Sequence, residues 1–321
     1  MHHYCVLGHP RPGPVPSSFS RALDNVFWYS MGHMRIALIQ QRATKEAKEN
    51  LARGIEAARR AAGQGAELVA FAELGFEWFH PQRPAEQPFP AALAQTIPGP
   101  TTEAFSKLAC ELGIVVVLNL YERDGHQTYD SSPVIDADGS ILGVTRMLHI
   151  TDYEGFHEQG YYRPGDRGVP VYRTRAGLVG VAICYDRHYP EVMRSLALQG
   201  AELVVVPQAG SLGEWPEGLY EAEIRVAAFQ NGYYVALVNR VGPEELLTFG
   251  GASFVTDPNG VVIARADAAR DQTLHADLDF TRIHSSHART LFLRDRRPEI
   301  VPALLGFSGR RSDSPANTRP R

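Results

Sequence analysis

Cysteine is scarce in this chain of 321 residues, and the three cysteines are widely scattered. Cys5, Cys110 and Cys184 are odd in number and form neither a disulfide framework nor the close spacing of metal ligands. The twelve histidines show no HExxH pattern and no paired Cys/His spacing, so we expect no metal site. Because free thiols persist in reducing compartments, the sequence predicts a cytoplasmic protein.

Long apolar runs and a strong excess of either charge are also missing. No run approaches the ~20 residues that a membrane-spanning helix needs. The formal net charge is −4, with 21% charged and 44% hydrophobic residues. This mildly acidic balance gives no reason to expect nucleic acid or a membrane as a partner. The composition is typical of a globular protein with one large core or two smaller ones.

The two ends of the chain differ in composition from the rest. Residues 1–33 look like loop or tail, with prolines at positions 10, 12, 14 and 16, and a strand-like run then begins abruptly at Met34. We expect residues 1–33 to be a peripheral or disordered extension, or the product of a mis-assigned start. Residues 308–321 are rich in Arg, Ser and Pro, which predicts a disordered tail. The predicted folded domain is residues 34–307.

Strand-like and helix-like segments alternate between these ends, with no internal repeat. The predicted strands are residues 35–40, 67–72, 114–121, 127–136, 141–148, 177–183, 202–207, 233–239, 252–256, 261–265 and 273–278. The predicted helices are residues 44–63, 101–112, 191–199 and 221–231. Helices that cover a sheet of mixed direction indicate a single α/β domain with layered architecture.

Cys184 occupies the point where a buried strand turns into a helix. Residues 181–183 are an apolar run, residues 185–190 break it, and helical spacing follows from Glu191. Backbone N–H groups are free at such a junction, and they favour a thiolate and a developing oxyanion. The alternative is a buried and inert cysteine, which is common in protein cores.

Glu73 ends the apolar run of residues 68–72. A carboxylate at the end of a buried strand is costly unless it is paired or functional, and desolvation there would make it a usable general base. The alternative is a carboxylate bonded to nearby backbone or to an arginine. Together, Glu73 and Cys184 predict a carboxylate beside a thiol nucleophile, which is the pairing that hydrolysis through a thioester requires.

Seven short segments carry a resemblance to a known family. They are residues 71–76 (FAELGF), 146–150 (RMLHI), 161–166 (YYRPGD), 183–191 (ICYDRHYPE), 239–242 (NRVG), 257–260 (DPNG) and 294–298 (RDRRP). In this order they resemble the nitrilase, or carbon–nitrogen hydrolase, superfamily, and most closely its N-carbamoyl amide hydrolase branch, which includes the β-ureidopropionases. The resemblance implies a four-layer α-β-β-α sandwich and a homodimer or higher homo-oligomer. It also implies a small-molecule substrate, no metal or organic cofactor, and a Glu-Lys-Cys triad with a second, structural Glu.

The resemblance assigns roles to individual residues. Glu73 matches the general base, Cys184 the nucleophile, and Glu158 the second Glu that orients the site; the alternative for Glu158 is a surface carboxylate. The position that the resemblance predicts as lysine is Met147, which offers neither charge nor a donor. Loss of one oxyanion donor typically costs ~10²–10³ in rate.

No other lysine is placed to substitute for the missing one. Lys45 and Lys48 fall in the first predicted helix and Lys107 in the second. Arg146 would point to the opposite face of its strand from Met147. Three interpretations remain: a hydrolase that works without the lysine, a ligand-binding or regulatory protein that has lost catalysis, or a substitution at this one position. In the first of these, the gap would be covered by a water or by one of three groups: the Tyr185 N–H, Arg146 or His149. We favour a working hydrolase, because the other three site residues are present together.

Three further residues are predicted to bind substrate along with Met147. By resemblance Arg187 would hold a substrate carboxylate, and a bidentate guanidinium suits that task; the alternative is an ion pair with Asp186 or Glu191. Tyr185 would line the pocket and lend its N–H to the oxyanion. Trp215 would shape specificity from a loop at the pocket rim.

Overall fold

The computed structural model describes residues 32–304, so the predicted tail and all but the end of the predicted N-terminal extension lie outside the described residues. The strands within this range are β1 His33–Gln40, β2 Leu68–Phe71, β3 Val115–Val117, β4 Leu120–Asp124, β5 Gln127–Ile135, β6 Ile141–Arg146, β7 Val171–Thr174, β8 Gly177–Val181, β9 Leu203–Gln208, β10 Tyr234–Asn239, β11 Val241–Pro243, β12 Thr248–Gly250, β13 Phe254–Thr256, β14 Val262–Arg265 and β15 Gln272–Asp279. The helices are α1 Ala47–Gly63, α2 Pro100–Leu112, α3 Pro190–Leu198, α4 Leu219–Asn231, α5 Thr281–Ser285 and α6 Val301–Leu304.

These strands form two large mixed sheets and one short hairpin. The first sheet has the order β15-β1-β2-β3-β5-β4, with β6 also paired to β5, and β1, β2 and β3 run parallel. The second has the order β14-β13-β10-β9-β8-β7, with β8, β9 and β10 parallel. Strands β11 and β12 form the hairpin.

Alternate side chains of the central strands enter different cores, because successive residues of a strand point to opposite faces. Ile36 and Leu38 of β1 join Leu203 and Val205 of β9 in a core between the two sheets. This shared core fixes the sheets face to face.

The outer face of each sheet is covered by two helices. The first sheet packs on α1 and α2 through side chains such as Ala58 and Phe105, and the second packs on α3 and α4 through Leu196 and Ile224. The predicted α-β-β-α sandwich is confirmed. None of the helices in the described range is both long and apolar enough to cross a membrane.

Most predicted segments match the observed ones within a few residues, and the differences concern short elements. The predicted strand 114–121 is divided into β3 and β4, and the side chain of the intervening Asn119 is used in the site described below. Strand β7 and the hairpin β11–β12 were not predicted. Both escape a pattern search because they are only three or four residues long.

Candidate active site

Glu73 lies just after the end of β2 and is fully buried. The next residue, Leu74, has a φ of 45°, which few non-glycine residues adopt. Arg240 donates a hydrogen bond to the carbonyl of Glu73 at 2.9 Å and another to that of Leu74. These bonds hold the backbone of the turn from which the carboxylate projects.

Cys184 is the first residue of a 3₁₀ turn, Cys184–His188, that follows β8. Its φ of 41° is again left-handed, and residues held in such conformations cluster at functional sites. The residue is 5% exposed, and Gln208 donates from Nε2 to its Sγ at 3.2 Å. The N–H of Ala209 also favours the ionised sulfur. The thiol thus stands at a strand-to-helix junction, as the sequence indicates.

The structure brings the Glu73 carboxyl and the Cys184 thiol together, and each acts on the pKa of the other. Burial, reinforced by Glu158, raises the pKa of Glu73 to about 8. Burial and the negative charges of Glu73 and Glu158 raise the pKa of the Cys184 thiol well above its usual range. The resting thiol is therefore neutral, and a thiolate forms only when the adjacent carboxylate takes its proton.

Glu158 is the third predicted catalytic residue, and it joins the same cluster. It begins a single 3₁₀ turn, Glu158–Gly160, and is fully buried, so it is not the surface carboxylate of the alternative interpretation. Its Oε2 accepts a hydrogen bond from the Thr151 N–H at 3.3 Å, whereas Oε1 has no partner among the described residues. Burial and the charge of Asp130 raise its pKa well above the ordinary value.

Asp130, on β5, is a fourth buried carboxyl that the sequence did not single out. Its Oδ1 accepts a hydrogen bond from Asn119 Nδ2 at 2.5 Å. Four polar atoms of the cluster are buried without a hydrogen-bond partner in residues 32–304: Oδ2 of Asp130, both carboxyl oxygens of Glu73 and the hydroxyl of Tyr162. Burial and the charge of Glu73 raise the pKa of Asp130. The sequence signal that could have identified Asp130 is its acidic side chain in the middle of the predicted strand 127–136.

Met147 lies directly beside this cluster. It is fully buried in the core between the sheets, and its N–H donates to the carbonyl of Asp130 at 2.9 Å. The two following N–H groups both donate to the carboxylate of Asp186 at 3.0 Å, which ties this segment to the turn that carries Cys184. A thioether therefore occupies the position next to the carboxyls.

Arg146 points away from the cluster, as expected for its place on the strand. Its guanidinium is buried, stacks on the ring of Tyr129 and forms ion pairs with Glu122, Asp124 and Asp166. It therefore does not fill the gap beside Met147.

The three lysines also lie elsewhere. Lys48 and Lys107 are on α1 and α2, which cover the outer face of the first sheet. Lys45 precedes α1 instead of lying within it, and its ammonium is over the ring of Trp78.

Arg187 is held firmly beside the nucleophile. Its Nη1 donates to the carbonyl of Cys184 at 2.9 Å and to Gln208 Oε1 at 2.8 Å, and its Nε lies 3.3 Å from Glu223 Oε2. The ion-pair partner is thus Glu223, on α4, and not Asp186 or Glu191. The Nη2 group is buried and has no hydrogen-bond partner in the described part of the chain, so one donor remains for a ligand.

Tyr185 is the second residue of the nucleophile turn, where backbone N–H groups have no partner within the turn itself. Its half-buried ring contacts those of His188 and Tyr189. His149, one of the groups considered for the gap left by the lysine, binds Asp186 through Nδ1 at 2.7 Å, and the neighbouring His188 binds Glu223 through Nδ1 at 2.6 Å.

Trp215 lies on the loop between β9 and α4. Its ring contacts those of His188 and Tyr153, with centroids 5.3 and 6.0 Å apart, and it lines a cavity of about 600 Å³. The adjacent Glu214 accepts hydrogen bonds from the hydroxyls of Tyr153, at 2.5 Å, and Tyr220. The sequence did not predict this Glu–Tyr cluster, because Tyr153 lies 61 residues from Glu214 in the chain.

No group of three or more His, Cys, Asp or Glu side chains in residues 32–304 is arranged to hold a metal ion. The chemistry that this arrangement can support with its own groups is nucleophilic attack by a thiol, with a carboxyl as proton carrier.

The sequence model of one protein family, described as carbon-nitrogen hydrolase, matches residues 35–288. The N-carbamoylputrescine amidase of Solanum lycopersicum is 33% identical over 85% of this chain and 95% of its own length. The citrullinase of Francisella tularensis is 34% identical over 86% of this chain and 99% of its own.

Two solved structures have the same fold. A carbon-nitrogen hydrolase from Helicobacter pylori G27 is 30% identical and superimposes with a TM-score of 0.79, covering 85% of this chain and 99% of its own. A variant amidase from Nesterenkonia sp. AN1 is 27% identical, with a TM-score of 0.69 and coverage of 84% and 96%. In that amidase the active-site cysteine carries the covalently added acetamide moiety of fluoroacetamide.

Proposed function

Because this chain belongs to the carbon–nitrogen hydrolase family, we propose that it hydrolyses non-peptide C–N bonds of N-carbamoyl amino acids, N-carbamoyl amines or small amides. The observation that carries the proposal is the meeting of Glu73 and Cys184 in one buried site, where neither group has its ordinary pKa. Strongly shifted pKa values in a cluster of this kind mark functional sites.

In the first half of the reaction, the Cys184 sulfur bonds to the carbonyl carbon of the substrate while Glu73 takes the thiol proton. The carbonyl oxygen becomes an oxyanion, which the Tyr185 N–H stabilises. When the oxyanion re-forms the carbonyl, the C–N bond breaks and Glu73 returns its proton to the leaving nitrogen. Ammonia or an amine departs, and the acyl group stays on sulfur as a thioester.

In the second half, Glu73 is again a carboxylate and acts on a water molecule. It takes one proton as the water oxygen bonds to the thioester carbon, and the thiol then leaves with that proton. A carbamoyl group is released as carbamic acid, which decomposes to ammonia and carbon dioxide. The carboxyl of Glu158 lies close enough to Glu73 and Cys184 to affect both pKa values, and we assign it the role of orienting the site.

The names of the relatives guide the choice of substrate. One relative is named for N-carbamoylputrescine, an N-carbamoyl amine, and another for citrulline, an N-carbamoyl amino acid. We propose the same chemical class for this chain, with Trp215 at the pocket rim. The Nη2 of Arg187, which has no hydrogen-bond partner in the part of the chain that the structure describes, would bind a substrate carboxylate.

We also propose that the protein acts as a homodimer or larger homo-oligomer in the cytoplasm. Helix α4 exposes Val226 (51%) and Phe229 (37%), and the ring of Phe229 contacts that of Phe292. An apolar face of this kind fits a second copy of the chain. Light scattering of wild type and of the double variant Val226→Asp/Phe229→Asp tests this, and a monomeric wild type would contradict it. Free thiols persist in reducing compartments such as the cytoplasm, and cell fractionation tests the location.

The central experiment measures ammonia release from a panel of N-carbamoyl amino acids, N-carbamoyl amines and simple amides. Turnover by wild type that vanishes in Cys184→Ala supports the proposal and identifies the substrate class. A folded wild type without activity, combined with activity in Met147→Lys, indicates a scaffold that has lost one catalytic group. If wild type, Cys184→Ala and Met147→Lys are all folded and inactive but still bind ligand, the ligand-binding or regulatory role is favoured.

A further inference from the structure

Glu73 shares its site with a second carboxyl, Asp130, to which the proposed function assigns no role. Both residues are buried, and three of their four carboxyl oxygens lack a hydrogen-bond partner among residues 32–304. Each carboxyl shifts the pKa of the other, and the Asn119 amide bonds both Asp130 and the N–H of Leu74, the residue that follows Glu73. The two groups are therefore neighbours in a site without water-exposed surface.

Asn119 determines which oxygen of Asp130 can carry a proton. Its Oδ1 accepts the Leu74 N–H at 2.8 Å, which fixes the orientation of the amide. Its Nδ2 then donates to Asp130 Oδ1 at 2.5 Å and to Ser132 Oγ at 3.2 Å. Because Asp130 Oδ1 is already an acceptor, Oδ2 is the oxygen left to bind a proton and donate it.

The surrounding charges require a proton somewhere in the pair. The acidic groups that act on Glu73 and Asp130 are Glu158, Asp186 and the Cys184 thiol. The cation that acts on Glu73 is Arg240, and its guanidinium is engaged by the carbonyls of residues 73, 74 and 77 and by the Glu244 carboxylate. The neighbour that directly follows β6 is Met147, which has no charge. Two adjacent buried carboxylates cannot both ionise under these conditions.

We propose that Asp130 remains protonated at Oδ2 and donates a hydrogen bond to the carboxylate of Glu73, so that a neutral acid stabilises the ionised form of the general base. Asp130 is then a positioning residue that acts through Glu73, and this inference rests on the proposed role of Glu73 as the base. Its proton is not transferred during the reaction: Glu73 alone accepts the proton of the thiol and returns it.

The direction of the mutual effects agrees with this assignment. A hydrogen bond donated by Asp130 would lower the pKa of Glu73 and raise that of Asp130, and the mutual effects of the two carboxyls have these directions. Without the donor, the pKa of Glu73 would rise further, and less of the base would be available at neutral pH.

Infrared spectroscopy of the whole protein at pH 7 tests the inference without any substrate. Wild type should show the carbonyl-stretch band of a buried protonated carboxylic acid, and Asp130→Asn should lose part of its intensity. The matched control Asp138→Asn alters an exposed turn and should leave the band unchanged, because hydrogen bonds to Ser140 hold the pKa of Asp138 low. Absence of any such band in wild type, or full retention in Asp130→Asn, would overturn the inference.

The pH dependence of kcat/KM distinguishes a protonated Asp130, which donates a hydrogen bond to Glu73, from an ionised Asp130, which adds a second negative charge. Asn keeps a donor, so Asp130→Asn should retain activity within about threefold, and its acidic limb should move by less than about 0.5 pH unit. Asp130→Ala removes the donor and should move the acidic limb upward by about one unit, with a loss of about tenfold at pH 7. A downward shift of one unit or more in Asp130→Asn would mean that wild-type Asp130 is ionised, which contradicts the inference.

The same shifts should appear in the pH dependence of alkylation of Cys184 by iodoacetamide, which needs no turnover. If the proteins are inactive on every substrate while the infrared band and the alkylation profile behave as expected, the proposed hydrolase function fails and the role of Asp130 stands. If turnover depends on Cys184 and the band is absent, the function stands and the inference about Asp130 fails.

Discussion

The N–H of Met147 donates a 2.9 Å hydrogen bond to the carbonyl of Asp130, which extends the β5–β6 ladder by one residue beyond the Ser131–Arg146 pair. Residues that face each other across an antiparallel pair present their side chains on the same face. The thioether of Met147 is therefore a neighbour of the carboxyl of Asp130, at the position where the family resemblance predicts a lysine ammonium. A cation and a protonated acid are alternative ways to lower the pKa of an adjacent carboxyl group.

Met147→Lys should be tolerated and should activate the thiol. The new ammonium would lie among carboxyl oxygens of Glu73, Asp130 and Glu158 that have no partner in the described range, and a nearby cation lowers the pKa of a thiol. We expect alkylation of Cys184 at pH 7 to accelerate by about tenfold, which corresponds to about one pKa unit. Met147→Gln, of similar length and without charge, is the control. Equal rates in the two variants would contradict the prediction.

The effects of Met147→Lys and Asp130→Ala on kcat/KM should not be additive. If the lysine and the protonated aspartate support Glu73 in the same way, Asp130→Ala should cost about tenfold in kcat/KM at pH 7 in wild type but less than about threefold beside Lys at position 147. Wild type, the two single variants and the double variant, assayed on one substrate, give the coupling free energy between positions 130 and 147. Equal losses in both backgrounds would show that the two positions act independently.

Glu73→Gln should stabilise the fold, and the effect should grow with pH. Burial raises the pKa of folded Glu73 to about 8, above its ordinary value. The stability associated with the bound proton is fully present below the unfolded pKa of about 4.3 and is lost as the pH rises through the folded pKa. Gln cannot ionise, so the two proteins should melt alike at pH 4, whereas the variant should melt at least about 2 °C higher at pH 9.

Thermal melts across this pH range check the prediction, with Glu103→Gln as the control because that carboxylate is exposed on α2. A difference in melting temperature that is constant with pH would mean that Glu73 has the same pKa in the folded and unfolded chain.

The sequence located Glu73 and Cys184 because each follows a short apolar run, and such runs become buried strands whose ends lie at a sheet edge. It could not locate Asp130 as a site residue, because β3 lies between β2 and β5 in the sheet. The approach of Asp130 to the end of β2 therefore depends on the strand order, which the sequence pattern does not give. The partner of Arg187 was missed for a similar reason. Glu223 lies on α4, and only the packing of that helix on the second sheet brings it to the nucleophile turn.

Substitution of Arg187 should separate substrate binding from structural support. Its Nη1 is used by the Cys184 carbonyl and Gln208, whereas Nη2 has no hydrogen-bond partner among residues 32–304. Arg187→Gln should raise KM for N-carbamoyl amino acids by about tenfold or more, since a charged hydrogen bond contributes about 1.5–3 kcal/mol. N-carbamoyl amines, which lack the carboxylate, should change far less. Equal losses for both classes would assign Arg187 a purely structural role.

Glu223→Gln, which frees the Arg187 guanidinium of an ion pair, should lower KM for the N-carbamoyl amino acids.

Arg146→Met should destabilise the protein without harming the chemistry. The Arg146 guanidinium lies 2.7 Å from Glu122, and both side chains are almost fully buried. Removing one partner of a buried pair typically costs about 3–5 kcal/mol, because the other charge is left uncompensated. Denaturant unfolding should show this loss, and the double variant Arg146→Met/Glu122→Gln should recover part of it. In the fraction that remains folded, kcat should stay within about threefold of wild type, because an oxyanion donor would be worth ~10²–10³. A collapse of kcat in folded protein would instead mean that Arg146 performs the task of the missing lysine.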